Sequence, residues 1–285
     1  MTSKTRADLA LLWNAFIWGT TFVLVKDALD DIAPFLYTAI RFAMAATLFY
    51  ILFHRRMQPF TGASLRAGII TGIWLAIGYG TQTLGLVYTS ASRSAFITGF
   101  SVVLVPLMAP LFTGRSPNRA AFVGPVAALA GLYFLTAGGP QLPINQGDAW
   151  TFVCAAAYAA HLLCVERYTR QFDYIGLTFL QLAVACVVNV IPAAVLEPWS
   201  IVWSGSVISA FAVTVALGTV LAFYILNRVQ RNTTAVHAAV IFTMEPVFAG
   251  LLAITVYGEQ WGLLGYGGAL LIIAGMIYSM IRYQP

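Results

Sequence analysis

Long apolar runs, broken by short polar or proline-bearing connections, occupy almost the whole chain. The pattern predicts ten helices of about 20 residues, each able to cross a hydrocarbon core of about 30 Å. They fall near 8–27, 34–54, 66–87, 93–112, 118–137, 148–167, 174–196, 206–228, 236–257 and 261–281. A membrane β-barrel would instead show strict apolar–polar alternation over segments of about ten residues. Unbroken runs such as 120–137 exclude that pattern. Lys4 and Arg6 ahead of the first run have the look of a signal-peptide flank, but no small-x-small cleavage site follows, so a retained helix is expected.

The pattern also repeats. Shifted by 140 residues, Pro106 falls on Pro246, Arg41 on Gln181, and the helix start at Ala95 on that at Ala235. The final pair of spans slips by about four residues, aligning Ala130-Gly131 with Ala274-Gly275. With an odd number of spans in each copy, the copies must face opposite ways. The expected architecture is therefore an all-α integral membrane protein with a five-plus-five inverted repeat around a central cavity. Its halves are residues 1–142 and 143–285. Inverted repeats mark secondary transporters, whose substrate sites sit near midmembrane between the copies.

Composition agrees with this class: 60% of residues are apolar, 9% are charged and the mean hydropathy is +0.83. A soluble domain carries about 25% charge. With the amino terminus cytoplasmic, twelve Lys and Arg residues fall on the inner side and only Lys26, Arg41 and Arg93 toward the outer one. That bias fixes the orientation, with both termini cytoplasmic. The basic pI of 9.2 then reflects topology and contact with anionic lipid, not nucleic-acid binding. Cys154, Cys164 and Cys186 lie within spans and form neither a disulfide framework nor a CxxC pattern. No nucleotide loop, no HExxH and no Ser/His/Asp set on one membrane side is present, so no cofactor and no enzymatic chemistry are expected.

Candidate site residues follow from depth and helical spacing. Pro106 and Pro246 remove backbone donors at equivalent depth, predicting helix breaks on two cavity walls. Asn14, Trp18 and Thr21 recur at i, i+4 and i+7 on span one, and Tyr158 and His161 take the equivalent places of Trp18 and Thr21 on span six. Tyr79 and Gln82 share a face of span three, while Ser94, Thr98 and Ser101 share one of span four. Together these predict an aromatic, hydroxyl-lined chamber for a small zwitterion or apolar side chain. Trp18 and Tyr158 stand open between cavity and packing; Trp13, Trp150, Trp199, Trp203 and Trp261, near span ends, read as interfacial belt residues.

His161, His237 and Glu245 are ionisable residues set well inside spans, where such groups face a cavity or a partner. Glu245 has two open readings, proton exchange or a structural role satisfying carbonyls freed near Pro246. Arg93, between Ser92 and Ser94, is a candidate guard of the outer mouth, and Lys26 is expected to snorkel or to pair with nearby aspartates.

Several short motifs carry a resemblance in their order and spacing. They are Trp18-Gly19-Thr20-Thr21-Phe22 leading to Lys26, Arg41-Phe42, the run from Thr89 to Ile97, Glu245-Pro246, and Gly258-Glu259. Through them the chain resembles the EamA branch of the drug/metabolite transporter superfamily over essentially its whole length, and within it the YddG-type amino-acid exporters. The resemblance implies ten helices in a five-plus-five repeat and export of a small metabolite, an amino acid in the YddG-type case, across the plasma membrane.

The expected protein is thus a carrier whose partners are a small-molecule substrate and the lipid bilayer, working as a monomer by alternating access. A broad drug exporter or an importer are alternatives within the class. A pore would need a polar stripe reaching both faces, whereas the polar residues here cluster at midmembrane. Trp18→Ala and His161→Ala are each expected to impair liposome uptake while leaving the purified protein folded; unchanged uptake in both would remove the proposed chamber.

Overall fold

Among the described residues of the computed structural model, seven helices are long and apolar enough to cross a membrane. The structure describes residues 3–114, 122–136, 144–257 and 262–282. The long spans are Thr5–Ala28, Pro34–Arg56, Gly62–Tyr88, Arg93–Phe112, Gln146–Thr169, Tyr174–Leu196 and Gly205–Gln230. Three shorter apolar stretches, Val123–Phe134, Ala235–Leu251 and Leu263–Tyr278, accompany them. No strand occurs among the described residues, only an isolated bridge between Ile32 and Ile201. Arg115, Arg119, Gly258, Glu259, Trp261 and the boundary between residues 142 and 143 lie outside the described residues.

The helices, in chain order, are α1 (Ser3–Ala28), α2 (Pro34–Phe53), α3 (Gly62–Tyr88), α4 (Ala91–Gly99), α5 (Ser101–Thr113) and α6 (Val123–Thr136). They continue with α7 (Gln146–Thr169), α8 (Tyr174–Leu196), α9 (Gly205–Val215), α10 (Ala222–Gln230), α11 (Ala235–Phe242), α12 (Glu245–Tyr257) and α13 (Leu263–Arg282). Their starts are capped by chemistry visible in the sequence. Capping boxes form at Thr61/Ser64 and Asn145/Asp148, and Ser90, Asp173, Ser204 and Thr234 accept from backbone N–H groups of the first turns they precede. Helix α2 lacks a local cap. Pro34 opens it, and the Glu197 carboxylate beyond α8 accepts from the N–H groups of Phe35 and Leu36 at 2.9 and 2.8 Å.

Three spans are interrupted. Between α9 and α10 the chain widens into a π-turn over Ala216–Leu221, in which the Thr219 hydroxyl donates to the carbonyl of Thr214, five residues back, at 2.7 Å. Between α11 and α12 the break falls at Thr243 and Met244, and Pro246 sits in the first turn of α12, where its missing N–H is not needed. Between α4 and α5 it falls at Phe100. This corrects the expected break at Pro106, which lies inside α5. The reason is the combination of two residues: Pro106 withholds the N–H that the Val102 carbonyl would accept, and Gly99 is a poor helix former just before it, so the register is released on the amino-terminal side.

Helices α3 and α7 run antiparallel in close contact, with Gly78 against Tyr158 and Gly85 against Thr151 and Gly147. On the periphery α6 and α13 meet backbone to backbone at Gly131, where an added Cβ would stand 2.6 Å from the Gly268 carbonyl oxygen and 2.8 Å from the Ile272 nitrogen. Trp13, Trp150, Trp199 and Trp203 are all exposed on the outside of the bundle.

Gly131→Ala therefore forces two backbones apart and should destabilise the protein by about 1–3 kcal/mol. In a detergent thermal-unfolding assay its midpoint should fall, whereas Gly62→Ala, with nothing within 4 Å, should match the parent.

Candidate functional site

A cavity opens where the interrupted helices meet, enclosing about 890 Å³ of atom-free space including its open mouth. It draws its walls from α1, α2, α3, α4, the start of α5, α7, α10, α11 and the start of α12. The π-turn supplies its central junction. Two side chains from other helices donate to the Gly218 carbonyl of this turn. Trp18 Nε1 of α1 donates to it at 2.8 Å and Arg41 Nη2 of α2 at 3.3 Å. Arg41 Nε also donates to the Thr219 hydroxyl at 2.8 Å, and its guanidinium lies 4.7 Å from the centre of the Tyr79 ring.

Arg41, expected toward the outer face, is drawn inside the bundle. Its side chain is 3% exposed and lines the cavity. Nη1 keeps two N–H groups beyond those used on Gly218 and Thr219, so the fork retains capacity for an anion. Across the chamber, Tyr158 OH donates to Gln82 Oε1 at 3.1 Å, and Gln82 Nε2 donates to the Thr98 hydroxyl at 3.2 Å. His161 Nε2 and Gln181 Oε1 are 2.7 Å apart. Phe242 packs against the Trp18 ring at 5.0 Å, and Phe223 packs against both Trp18 and His161.

Glu245, the first residue of α12, also lines the cavity. No hydrogen bond from its carboxyl to a protein group is found among the described residues, so the expected satisfaction of freed carbonyls is not seen. Gly19 makes the arrangement possible: a Cβ there would stand 2.6 Å from the Glu245 carbonyl oxygen, so α1 can approach the break only without a side chain.

Of the residues singled out by spacing, Trp18, Thr21, Tyr79, Gln82, Thr98, Ser101, Tyr158, His161, Glu245 and Pro246 line this cavity. Five others do not. Asn14 is fully buried and donates to the Ala222 carbonyl at 2.8 Å, tying α1 to α10. Ser94 is buried on the closed side of α4, and Pro106 faces packed helices. His237 lies in the first turn of α11, its Nε2 2.7 Å from Asp8 Oδ1. Arg93 Nη2 is 2.6 Å from Asp148 Oδ2. Lys26, expected to snorkel or pair with aspartates, donates to the Leu86 carbonyl instead.

Phe223, Phe242 and the π-turn are the parts that spacing missed, while Arg41 was expected only as a cation toward the outer face able to receive a substrate carboxylate. For Arg41 a signal existed: seven residues past Pro34 it lies about 10 Å into the span, too deep for an interfacial cation. Phe223 and Phe242 have no such signal, because an aromatic residue facing a cavity reads like one facing lipid.

The model of the EamA-like transporter family matches residues 5–137 and again residues 145–281. The chain belongs to the EamA-like transporter family. An Archaeoglobus fulgidus protein described as an uncharacterized transporter is 33% identical over 97% of this chain and 86% of its own length. Bacillus subtilis YoaV, also described as an uncharacterized transporter, is 24% identical over 97% of both chains. The Escherichia coli inner membrane transporter YedA is 23% identical over 96% of this chain and 90% of its own. One solved crystal structure shares the fold with a TM-score of 0.75 at 18% identity, covering 98% of this chain and 97% of that one. The EamA-like protein described here is thus a multi-pass membrane transporter.

Arg41→Gln removes the cation and leaves the Gly218 carbonyl with one donor fewer. Its transport rate is expected to fall about tenfold or more, in line with about 1.5–3 kcal/mol for a charged hydrogen bond. Arg41→Lys, which keeps the charge and loses the fork, should retain an intermediate rate. Parent-like liposome flux in Arg41→Gln would show that the residue takes no part in the site.

Proposed function

We propose that this protein exports amino acids, neutral and aromatic ones above all, across the plasma membrane (the inner membrane in a bacterium) by alternating access. The observation that carries the reading is the pairing of Arg41 and Glu245 on one cavity otherwise walled by Trp18, Tyr79, Tyr158, Phe223 and Phe242. A guanidinium with donors to spare suits a carboxylate, an acid suits an ammonium, and aromatic walls suit an apolar side chain. A central chamber of this kind between the helices suits a carrier that binds its substrate at midmembrane.

In this reading, residues 1–142 and 143–285 form two five-helix halves of inverted topology, with the three shorter apolar stretches completing ten spans and both termini cytoplasmic. Support comes from the two family matches at 5–137 and 145–281 and from the side chains placed 140 residues apart on one cavity, Trp18 and Tyr158 foremost. Inner-membrane placement is supported by the name of the YedA relative.

The test is counterflow in liposomes preloaded with one unlabelled amino acid. Saturable uptake of labelled neutral and aromatic amino acids, competed by one another and not by cationic dyes, is the expected result. Exchange of dyes or other metabolites without amino-acid flux would move the protein to another substrate class. Unsaturable flux would mark a pore.

A further inference from the structure

Two acid–base pairs lie beyond the cavity, one at each end of it, and they are built alike. In the first, Arg93 Nη2 of α4 stands 2.6 Å from Asp148 Oδ2 of α7. In the second, His237 Nε2 of α11 stands 2.7 Å from Asp8 Oδ1 of α1. Asp8 and Asp148 are 140 residues apart, the offset that also carries Trp18 onto Tyr158. Their partners correspond through the local cap. Ser90 accepts from the backbone N–H of Arg93, and Thr234 accepts from that of His237, each hydroxyl standing three residues before the side chain it presents.

The two pairs close opposite ends. Lys26 at the end of α1 donates to the Leu86 carbonyl near the end of α3, and α3 meets the start of α7 where Gly85 faces Gly147. Asp148 therefore sits at the level where α1 finishes, while Asp8 lies 18 residues earlier on α1, about 27 Å away along its axis. At that far end the Glu166 carboxylate, near the end of α7, accepts from the N–H of Ala235, which brings α11 to the same level. The cavity residues Trp18 and Tyr158 lie ten residues inward from their respective aspartates, about 15 Å from each.

We propose that Arg93–Asp148 and Asp8–His237 are the two gates of the cavity, each joining the first helix of one half to the fourth of the other and parting in alternation. The proposal rests on the carrier reading above. Each pair bridges the halves, so neither half can swing away at that end while the pair holds. The setting favours a latch over a permanent tie. Asp148 also accepts from Thr89 Oγ1 at 3.2 Å and from the Asn145 N–H at 2.9 Å, so its charge stays hydrogen-bonded when Arg93 leaves. The outer members keep a path to water: the Arg93 side chain is 23% exposed and that of Asp8 14%. Symmetry supplies the coupling, since one rocking motion that lengthens the first contact shortens the second.

The test reads accessibility from each face separately. Cys154, Cys164 and Cys186 are replaced by alanine, Ser101→Cys is placed on the cavity wall, and sealed vesicles of both orientations are treated with a membrane-impermeant maleimide. Asp148→Asn should speed labelling from the Arg93 side and slow it from the other, changing their ratio about tenfold. Asp8→Asn should change it by a similar factor in the reverse sense. A merely structural role would move both faces together or lower the folded yield, so equal shifts, or none, would overturn the proposal. If either asparagine variant is not recovered folded, Arg93→Gln and His237→Gln read the same two pairs from the other partner. Counterflow by the parent in the same vesicles separates the two failures. Saturable exchange with unmoved labelling sinks the gates alone, and absence of saturable exchange sinks the carrier reading on which they rest.

Discussion

The carbonyl of Gly218 holds the centre of this molecule together. It belongs to the π-turn over Ala216–Leu221, inside the bundle, where polar groups are satisfied by protein partners. Trp18 from α1 and Arg41 from α2 converge on it. That convergence draws three helices to one point, buries the guanidinium, and sets it above the Tyr79 ring. The cavity is the space left around this junction. Part of its polarity comes from the residues of this junction.

The two other interruptions serve the same end by different means. Phe100 separates α4 from α5, and Thr243 with Met244 separates α11 from α12. The second break aims Glu245 and Pro246 into the chamber, and Gly19 lets α1 come close enough to seal it. Beyond the chamber, the contacts change character. Asn14 to Ala222 is buried and short, and belongs to the packed body of the bundle. The pairs at Arg93 and His237 sit farther out, partly wetted, between segments of different halves.

Much of the fold was legible in the sequence because membrane burial imposes a strong pattern. Runs of about 20 apolar residues follow from single-residue transfer costs, and seven of them stand as membrane-length helices among the described residues. Ten of the candidate site residues line the cavity because helical spacing places side chains reliably once the helix is known. The remainder depended on information that spacing does not hold. Pro106 marks a weakened helix, but Gly99 determined where the helix gave way. His237 and Arg93 looked like cavity or mouth residues because their partners, Asp8 and Asp148, lie far away in sequence. The π-turn has no proline and an ordinary apolar composition, so nothing in its sequence marks it.

The central claim, that one cavity recognises both charged ends of a small zwitterion through Arg41 and Glu245, is tested most directly by equilibrium binding to the purified protein. A labelled neutral amino acid would be displaced by its own decarboxylated amine and by its N-acetyl derivative. If both charges are read, each competitor binds about tenfold or more weakly than the parent amino acid, and Arg41→Gln removes the penalty for the amine alone. An amine that binds as tightly as the amino acid would contradict the account, because the guanidinium at the π-turn would then contribute nothing to recognition.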